Sequence, residues 1–527
     1  MNAPSLFSEI EFVITSTMQC GNNIERIQMI GFLIATATTV VVAYLIFHRY
    51  HPQTVLIFSG LFMLLCAIPL SMKPLMDEDQ TTGSAFLDVF DQITQTFGNL
   101  GAKLGLIIMA VGGFSLVMDR VGASSALVAI ATKPLQKINK PYVVLASTYI
   151  LAQTLCLIIP SAAGLAMLLM VTVYPLLRSL GISKLSATGV IATGSCLDLG
   201  PASSNANMAA QTSGMTVQEY FIQYQLPVAL VVVASVFILH YFVQQYFDRK
   251  AGTTPDKADW DEIKAELAGI KRSSGGKSAL AQRAANGGSD TAAKTKADTK
   301  EAERVDKPTP KAYALLPFTP LVLLIVFSPF VITSIKMNVA TAMIISGMLA
   351  VICEMIRYRS FQRGADAFSV FFEGMGRQFV NIVTLIVGGQ MFAAGLTQLG
   401  FISFVIDGAE RFNMGAIPIT IIMTLVIFLS AVLMGSGNAP WFAFSELIPD
   451  IAKPLGVDTV FLAQPMELAS GIGRSMSPIA GVVIAVAGLG DVSPVDLVKR
   501  TIPVMIPAYV IMVTSSIVWD YLLRVLI

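Results

Sequence analysis

Apolar runs close to bilayer-spanning length recur along almost all of this 527-residue chain, and no other feature restricts its fold as strongly. About 20 apolar residues span the hydrocarbon core as a helix, which satisfies its own backbone polar groups where no water can. The runs fall near 28–47, 53–72, 104–121, 142–177, 185–211 and 226–247, then near 313–333, 338–356, 378–400, 415–449, 461–487 and 502–523. Only 13% of the residues are charged, against about 25% in soluble domains. The pattern predicts an all-α polytopic membrane protein surrounded by lipid.

Composition excludes several other classes. A formal net charge of +1, with no basic domain, leaves no nucleic-acid partner to expect. The five cysteines, Cys20, Cys66, Cys156, Cys196 and Cys353, form no C-x-x-C pair, which argues against a zinc site or a disulfide framework. His48, His51 and His240 fall at the ends of apolar runs and supply no histidine-based catalytic core. Residues 1–26 lack a basic start and read as an N-terminal extension rather than a cleaved leader.

Between the two sets of six runs, residues 248–311 switch to Lys, Asp, Glu, Ser, Gly and Ala. Such a stretch buries too little apolar surface to offset the cost of ordering it, so it reads as a flexible linker, with one short helix over 261–271. The flanking segments, 27–247 and 312–527, read as two repeats. Gly112-Gly113 matches Gly388-Gly389, Ser161 matches Ser436, Gly181 matches Gly456, and Pro227 matches Pro503, at shifts of 275 or 276. Upstream, Thr54, Ser59, Gly60 and Cys66 match Thr341, Ser346, Gly347 and Cys353, each shifted by 287.

Lys- and Arg-rich loops stay cytoplasmic. Arg49, then Lys133, Lys137 and Lys140, then Arg178 and Lys184, and finally Arg249-Lys250 mark inside loops. Asp77, Glu78, Asp79, Asp88 and Asp91 mark an outside one. Because residues 141–180 have basic flanks at both ends, they read as a re-entrant hairpin. In the second half, Arg357, Arg359 and Arg363 lie inside, while the run 415–450 is flanked by Asp407, Glu410, Asp450 and Asp458, with only Arg411 and Lys453 opposing them, and reads as an outside hairpin. The expected topology is two inverted repeats of five crossings plus one hairpin each, with both termini outside and the linker cytoplasmic. Secondary transporters place their sites between such repeats.

Each half carries two interruptions within apolar sequence. The hairpin tips are Ser161-Ala162-Ala163-Gly164 and Gly435-Ser436-Gly437-Asn438-Ala439-Pro440; the later breaks are Gly200-Pro201-Ala202-Ser203-Ser204-Asn205 and Gly473-Arg474-Ser475-Met476-Ser477-Pro478. Unwound backbone at membrane depth needs protein or a watery cavity around it. Half-helix N-termini aim free N–H groups at such gaps, which suits an anion. Arg474 stands at one break, where an intramembrane Arg costs about 2.5–3.5 kcal/mol and so calls for a partner. Its repeat counterpart is Asp198, 276 positions earlier. That placement suggests Asp198 neutralises Arg474 between substrates or takes up a coupling proton. Glu446 and Glu467 also lie in apolar surroundings, as proton carriers or as structural hydrogen-bonding groups. Trp441, just past a tip, reads as packing.

The tip motifs, the run Gly473-Arg474-Ser475-Met476-Ser477-Pro478-Ile479-Ala480-Gly481-Val482-Val483, and the later Ser493-Pro494, Lys499-Arg500-Thr501 and Pro503 resemble the DcuC-type anaerobic C4-dicarboxylate carriers. The similarity covers about 28–247 and 312–523. It implies a proton-coupled symporter or exchanger of succinate, fumarate, malate or aspartate in a bacterial inner membrane, with no cofactor and no bound metal. Proton coupling is expected over sodium. The ion-transporter superfamily to which these carriers belong further implies a homodimer, with a scaffold domain and a mobile, hairpin-bearing transport domain. Related carriers of short-chain fatty acids, amino acids or peptides are the alternative within transport. A membrane-embedded enzyme would want an intramembrane His or paired acids in one gap.

Overall fold

The computed structural model describes residues 29–46, 50–70, 80–138, 140–255, 309–327, 337–401 and 415–526, with the single positions 48, 76 and 263. The N-terminal extension, Arg49, the acidic group 77–79, the short helix expected over 261–271 apart from Ile263, and Asp407, Glu410 and Arg411 all lie outside the described residues. Every regular element among the described residues is helical.

The first half contains α1 (Met29–Ile46), α2 (Pro52–Ala67), α3 (Ala85–Leu100), α4 (Leu106–Arg120), α5 (Ala123–Ala131) and α6 (Pro141–Cys156). It continues with α7 (Ala162–Thr172), α8 (Tyr174–Ser179), α9 (Lys184–Ala192), α10 (Ser204–Thr212) and α11 (Val217–Ala251). The second half contains α12 (Thr319–Val326), α13 (Val339–Tyr358), α14 (Phe361–Gln378), α15 (Thr384–Gln398) and α16 (Ala416–Met434). It ends with α17 (Asn438–Ser445), α18 (Ile448–Ala452), α19 (Thr459–Arg474), α20 (Gly481–Gly490) and α21 (Pro494–Leu526).

Among the described residues, seven helices are long and apolar enough to cross a membrane, or eight if α4 and the segment after it, bent by 74°, count as one. The chain is a multi-pass membrane protein. Large apolar side chains such as Leu230, Phe242, Ile356 and Leu433 point outward from these helices, as a lipid-facing surface requires.

Local chemistry sets the ends of the elements. Proline opens α2 and α6, where its missing N–H is no loss. The Ser161, Ser183 and Ser203 hydroxyls cap α7, α9 and α10 by accepting from the backbone N–H three residues on. At the start of α3, Asp88 accepts hydrogen bonds from the Thr81 and Thr82 hydroxyls and the Thr82 N–H, which together hold its carboxyl below the usual range.

Element boundaries repeat along the chain. Helices α3, α6, α7, α9 and α10 begin 275–277 positions before α14, α16, α17, α19 and α20. Even the π turns match, at Gly101–Gly105 and Phe379–Val383. These turns join α3 to α4 and α14 to α15, and the apolar-run reading missed both α3 and α14. They are amphipathic, with polar faces that break up the apolar stretch, and a search for long apolar runs passes over them.

The apolar interior forms two clusters. One gathers α2, α4, α10, α13, α15, α17 and the start of α19; the other gathers α6, α7, α9, the body of α11, α20, α21 and the end of α19. Helix α19 changes cluster between Met466 and Leu468.

Candidate functional site

All four interruptions expected from the sequence are breaks between helices, at 157–161, 193–203, 435–437 and 475–480. The tip helix of each hairpin packs on the half-helix that follows the later break of the other repeat, α7 on α20 and α17 on α10. Close approach of backbones depends on glycine. A Cβ on Gly471 would lie 2.4 Å from the Cys196 carbonyl oxygen, one on Gly473 2.5 Å from that of Phe428, and one on Gly437 2.6 Å from that of Ser470. The end of α19 is thus wedged among the second tip, α16 and the first later break.

Arg474 closes α19 at this crossing. Its Nη2 donates to Asp198 Oδ1 at 2.9 Å and to the Ser195 carbonyl at 2.8 Å, and the two side chains are 14% and 11% exposed. Arg474 Nε is buried with no partner among the described residues. Asp198 adopts a left-handed backbone (φ 46°), uncommon without glycine, which turns the chain at the break. Its second oxygen accepts from Asn205 Nδ2 at 3.2 Å. The Asn205 carbonyl in turn accepts from Trp441 Nε1 at 3.3 Å. Trp441 is fully buried. It braces the second tip against α10.

The other expected residues divide into two groups. Ser475 and Ser477 are buried beside Arg474 in the chain; Ser475 Oγ donates to the Gly471 carbonyl, and Ser477 Oγ has no partner among the described residues. Ser203 and Ser436 cap the helices that follow them, accepting from the Ala206 and Ala439 N–H groups. Asn438, Ala439 and Pro440 form the first turn of α17. Ser161 is exposed and caps its own helix, with Ala162, Ala163 and Gly164 half-buried behind it and Ser204 half-buried on α10. No hydrogen bond joins Ser161 to Arg474; the first hairpin meets the crossing through Leu157, which packs against Gly200, and through Tyr149 and Gln153, hydrogen-bonded to Cys196 Sγ.

Glu467, two turns before Arg474, is fully buried. Its Oε2 accepts from Gln225 Nε2 at 3.1 Å and Tyr220 OH at 3.3 Å. Gln225 Oε1 accepts from the Gly200 N–H at 3.0 Å. Tyr220 and Gln225 were not expected from the sequence; they sit in a π turn within α11, far from both motifs. Glu446 accepts from Gln390 Nε2 at 2.8 Å. His240 corrects an expectation. It lies inside α11, fully buried, with Nε2 2.9 Å from Thr193 Oγ1 and its ring against Tyr149, so apolar sequence continues past it. Among the described residues, no group of three His, Cys, Asp or Glu side chains is placed to hold a metal ion.

A helical membrane protein whose broken helices cross around a buried guanidinium has the build of a solute carrier. The chain belongs to the family of C4-dicarboxylate anaerobic carriers (DcuC), which it matches over residues 30–520. It is 31% identical over 489 residues to the anaerobic C4-dicarboxylate transporter DcuC of Escherichia coli K12, covering 93% of this chain and 96% of that one. It is 30% identical over 494 residues to the Vibrio cholerae protein named "Probable anaerobic C4-dicarboxylate transporter DcuC", covering 93% of this chain and 98% of that one. The fold also resembles the crystal structure of the Alcanivorax borkumensis YdaH transporter, described as having an unusual topology. That likeness has a TM-score of 0.56 at 13% identity and covers 90% of this chain and 98% of that one. The protein is a transporter and not an enzyme.

Proposed function

We propose that this carrier moves C4-dicarboxylate anions such as succinate, fumarate, malate and aspartate across the bacterial inner membrane by alternating access, in symport with protons or by exchange. The observation that carries the reading is Arg474, held at the crossing of two helix breaks and already bound to a carboxylate, that of Asp198, at 2.9 Å. A guanidinium that accepts a protein carboxylate in this geometry can accept a substrate carboxylate in the same way. In this reading Asp198 holds Arg474 between substrates and gives way to one end of the dianion. The second carboxylate is met by backbone N–H groups at the breaks, with Ser475, Ser477, Ser203, Ser204 and Asn205 on one side. Ser161, Ala162, Ala163, Gly164, Ser436, Gly437, Asn438, Ala439 and Pro440 at the tips complete the path. Two cationic poles favour a dicarboxylate over a monocarboxylate. The names of the E. coli and V. cholerae relatives support the same substrate class.

The matched element offsets support two repeats; their inverted orientation, with the linker cytoplasmic and both termini outside, is read from the Lys and Arg bias of the loops. A homodimer with a fixed scaffold and a moving transport domain completes the proposal. Proteoliposome uptake of labelled succinate, competed by fumarate, butyrate and neutral amino acids, tests it. Fumarate alone should compete strongly; equal competition by all three would remove the dicarboxylate assignment.

A further inference from the structure

Three residues at which the chain passes from one apolar core to the other are hydrogen-bonded to one another. Helix α19 changes core at Glu467, between Met466 and Leu468; the first later break changes core between Leu199 and Ala202, around Gly200; and α11 changes core between Tyr220 and Val228, around Gln225. Gly200 N–H donates to Gln225, and Gln225 donates to Glu467. The cluster therefore straddles the seam along which the two cores would shift in a carrier.

Within it, Glu467 is a carboxyl with no cation. It is fully buried, both of its donors are neutral, and its Oε1 has no hydrogen-bond partner among the described residues. Among the described residues no salt bridge reaches Glu467 from the elements packed around α19; on α11, which supplies Tyr220 and Gln225, Glu219 accepts from Thr216 and His240 meets Thr193. Helices α10, α16 and α17 contain no titratable side chain. Glu446 is held by Gln390, and Asp450 on α18 is exposed. On α21, Arg500 is paired with Asp248, Lys499 with Asp496, and Tyr509 stacks on Phe428, while Asp520 is a further acid. Arg474, on Glu467's own helix, is taken by Asp198. A carboxylate buried among neutral groups, with one oxygen unsatisfied, is far costlier than the same group as an acid. Asp198 differs on each count, since Arg474 and Asn205 satisfy it as an anion.

We propose that Glu467, rather than Asp198, carries the coupling proton, on Oε1, and that Gln225 transmits its protonation to the backbone of the break at Gly200. This rests on the dicarboxylate reading above. A dianion arriving at Arg474 adds negative charge two turns along α19 from Glu467 and binds more tightly while that carboxyl is neutral, so proton and substrate binding reinforce each other. When Glu467 loses its proton to water on the far side, the new anion repels the substrate and pulls on Gln225, whose other end holds the break.

The test compares wild type with Glu467→Gln in proteoliposomes. Exchange of labelled for unlabelled succinate at equal pH on both sides reports alternating access, and uptake driven by an inward acid gradient reports coupling. The ratio of gradient-driven to exchange rate should fall about tenfold or more in E467Q, as loss of an ordinary two-ligand coupling would give, while Asp198→Asn, which disturbs the Arg474 pair, should slow both modes together and keep that ratio. A ratio unchanged in E467Q, or lost in D198N instead, overturns the proposal. If E467Q loses exchange as well, infrared spectra of the wild-type carrier in membranes decide. The proposal expects a protonated-carboxyl C=O band at neutral pH that wild type and Glu446→Gln share and Glu467→Gln lacks; spectra of wild type and E467Q that do not differ there overturn the proposal. Failure of wild type to exchange succinate at all would instead remove the substrate reading.

Discussion

A buried guanidinium and carboxylate are each costly to remove from water, and their mutual attraction offsets that cost only while both are present. Arg474 and Asp198 are in this position, with the Ser195 carbonyl sharing the guanidinium. Arg474→Ala leaves Asp198 uncompensated and should destabilise the carrier by about 3 kcal/mol, at the low end for a buried pair because both side chains keep some exposure. The double variant with Asp198→Ala should cost clearly less than the two single ones added together. Thermal unfolding of the purified protein in detergent measures all three; strict additivity would mean the pair is not coupled. Arg474 was legible because a charge inside an apolar run needs a partner, and its repeat offset pointed to Asp198. Tyr220 and Gln225 were not legible. Their polar atoms matter only because packing brings them to Glu467 from more than 240 positions away.

Helix ends and helix crossings carry the site at the next scale. Half-helices α10, α17 and α20 each begin at a break, and their caps and first turns come from short-range sequence, so the four interruptions could be located from Gly, Ser and Pro alone. Which glycines permit contact between elements is a different matter. A methyl group on Gly471 would meet backbone at 2.4 Å, whereas one on Gly98 in α3 would meet nothing within 4 Å. Gly471→Ala should therefore cost about 1–3 kcal/mol by overpacking, while Gly98→Ala should be neutral or gain up to about 1 kcal/mol from helix propensity. Unfolding midpoints of the two variants make the comparison, and equal midpoints would show that α19 does not pass so close to Cys196. The amphipathic helices α3 and α14 escaped notice because their periodic polar faces shorten the apolar run.

For the molecule as a whole, the proposed inversion of the two halves makes the sharpest prediction. Lys140 and Asp450 flank the two hairpins and are both exposed. With the five native cysteines replaced, Asp450→Cys should react with a membrane-impermeant maleimide in intact cells. Lys140→Cys should react only after the membrane is opened. Labelling of both from outside would mean that the halves share one orientation.

Membrane residence, the two-fold repetition and the places where helices break are all local properties of the chain: hydropathy over some 20 residues, offsets between like motifs, and the refusal of Gly, Ser and Pro to continue a helix in lipid. They could be read in one dimension. The hold of the Ser195 carbonyl on Arg474, the brace from Trp441 to Asn205 and the bridge from Gly200 through Gln225 to Glu467 could not. Each joins groups whose separation in sequence carries no energetic information until packing excludes water and brings them within hydrogen-bonding reach.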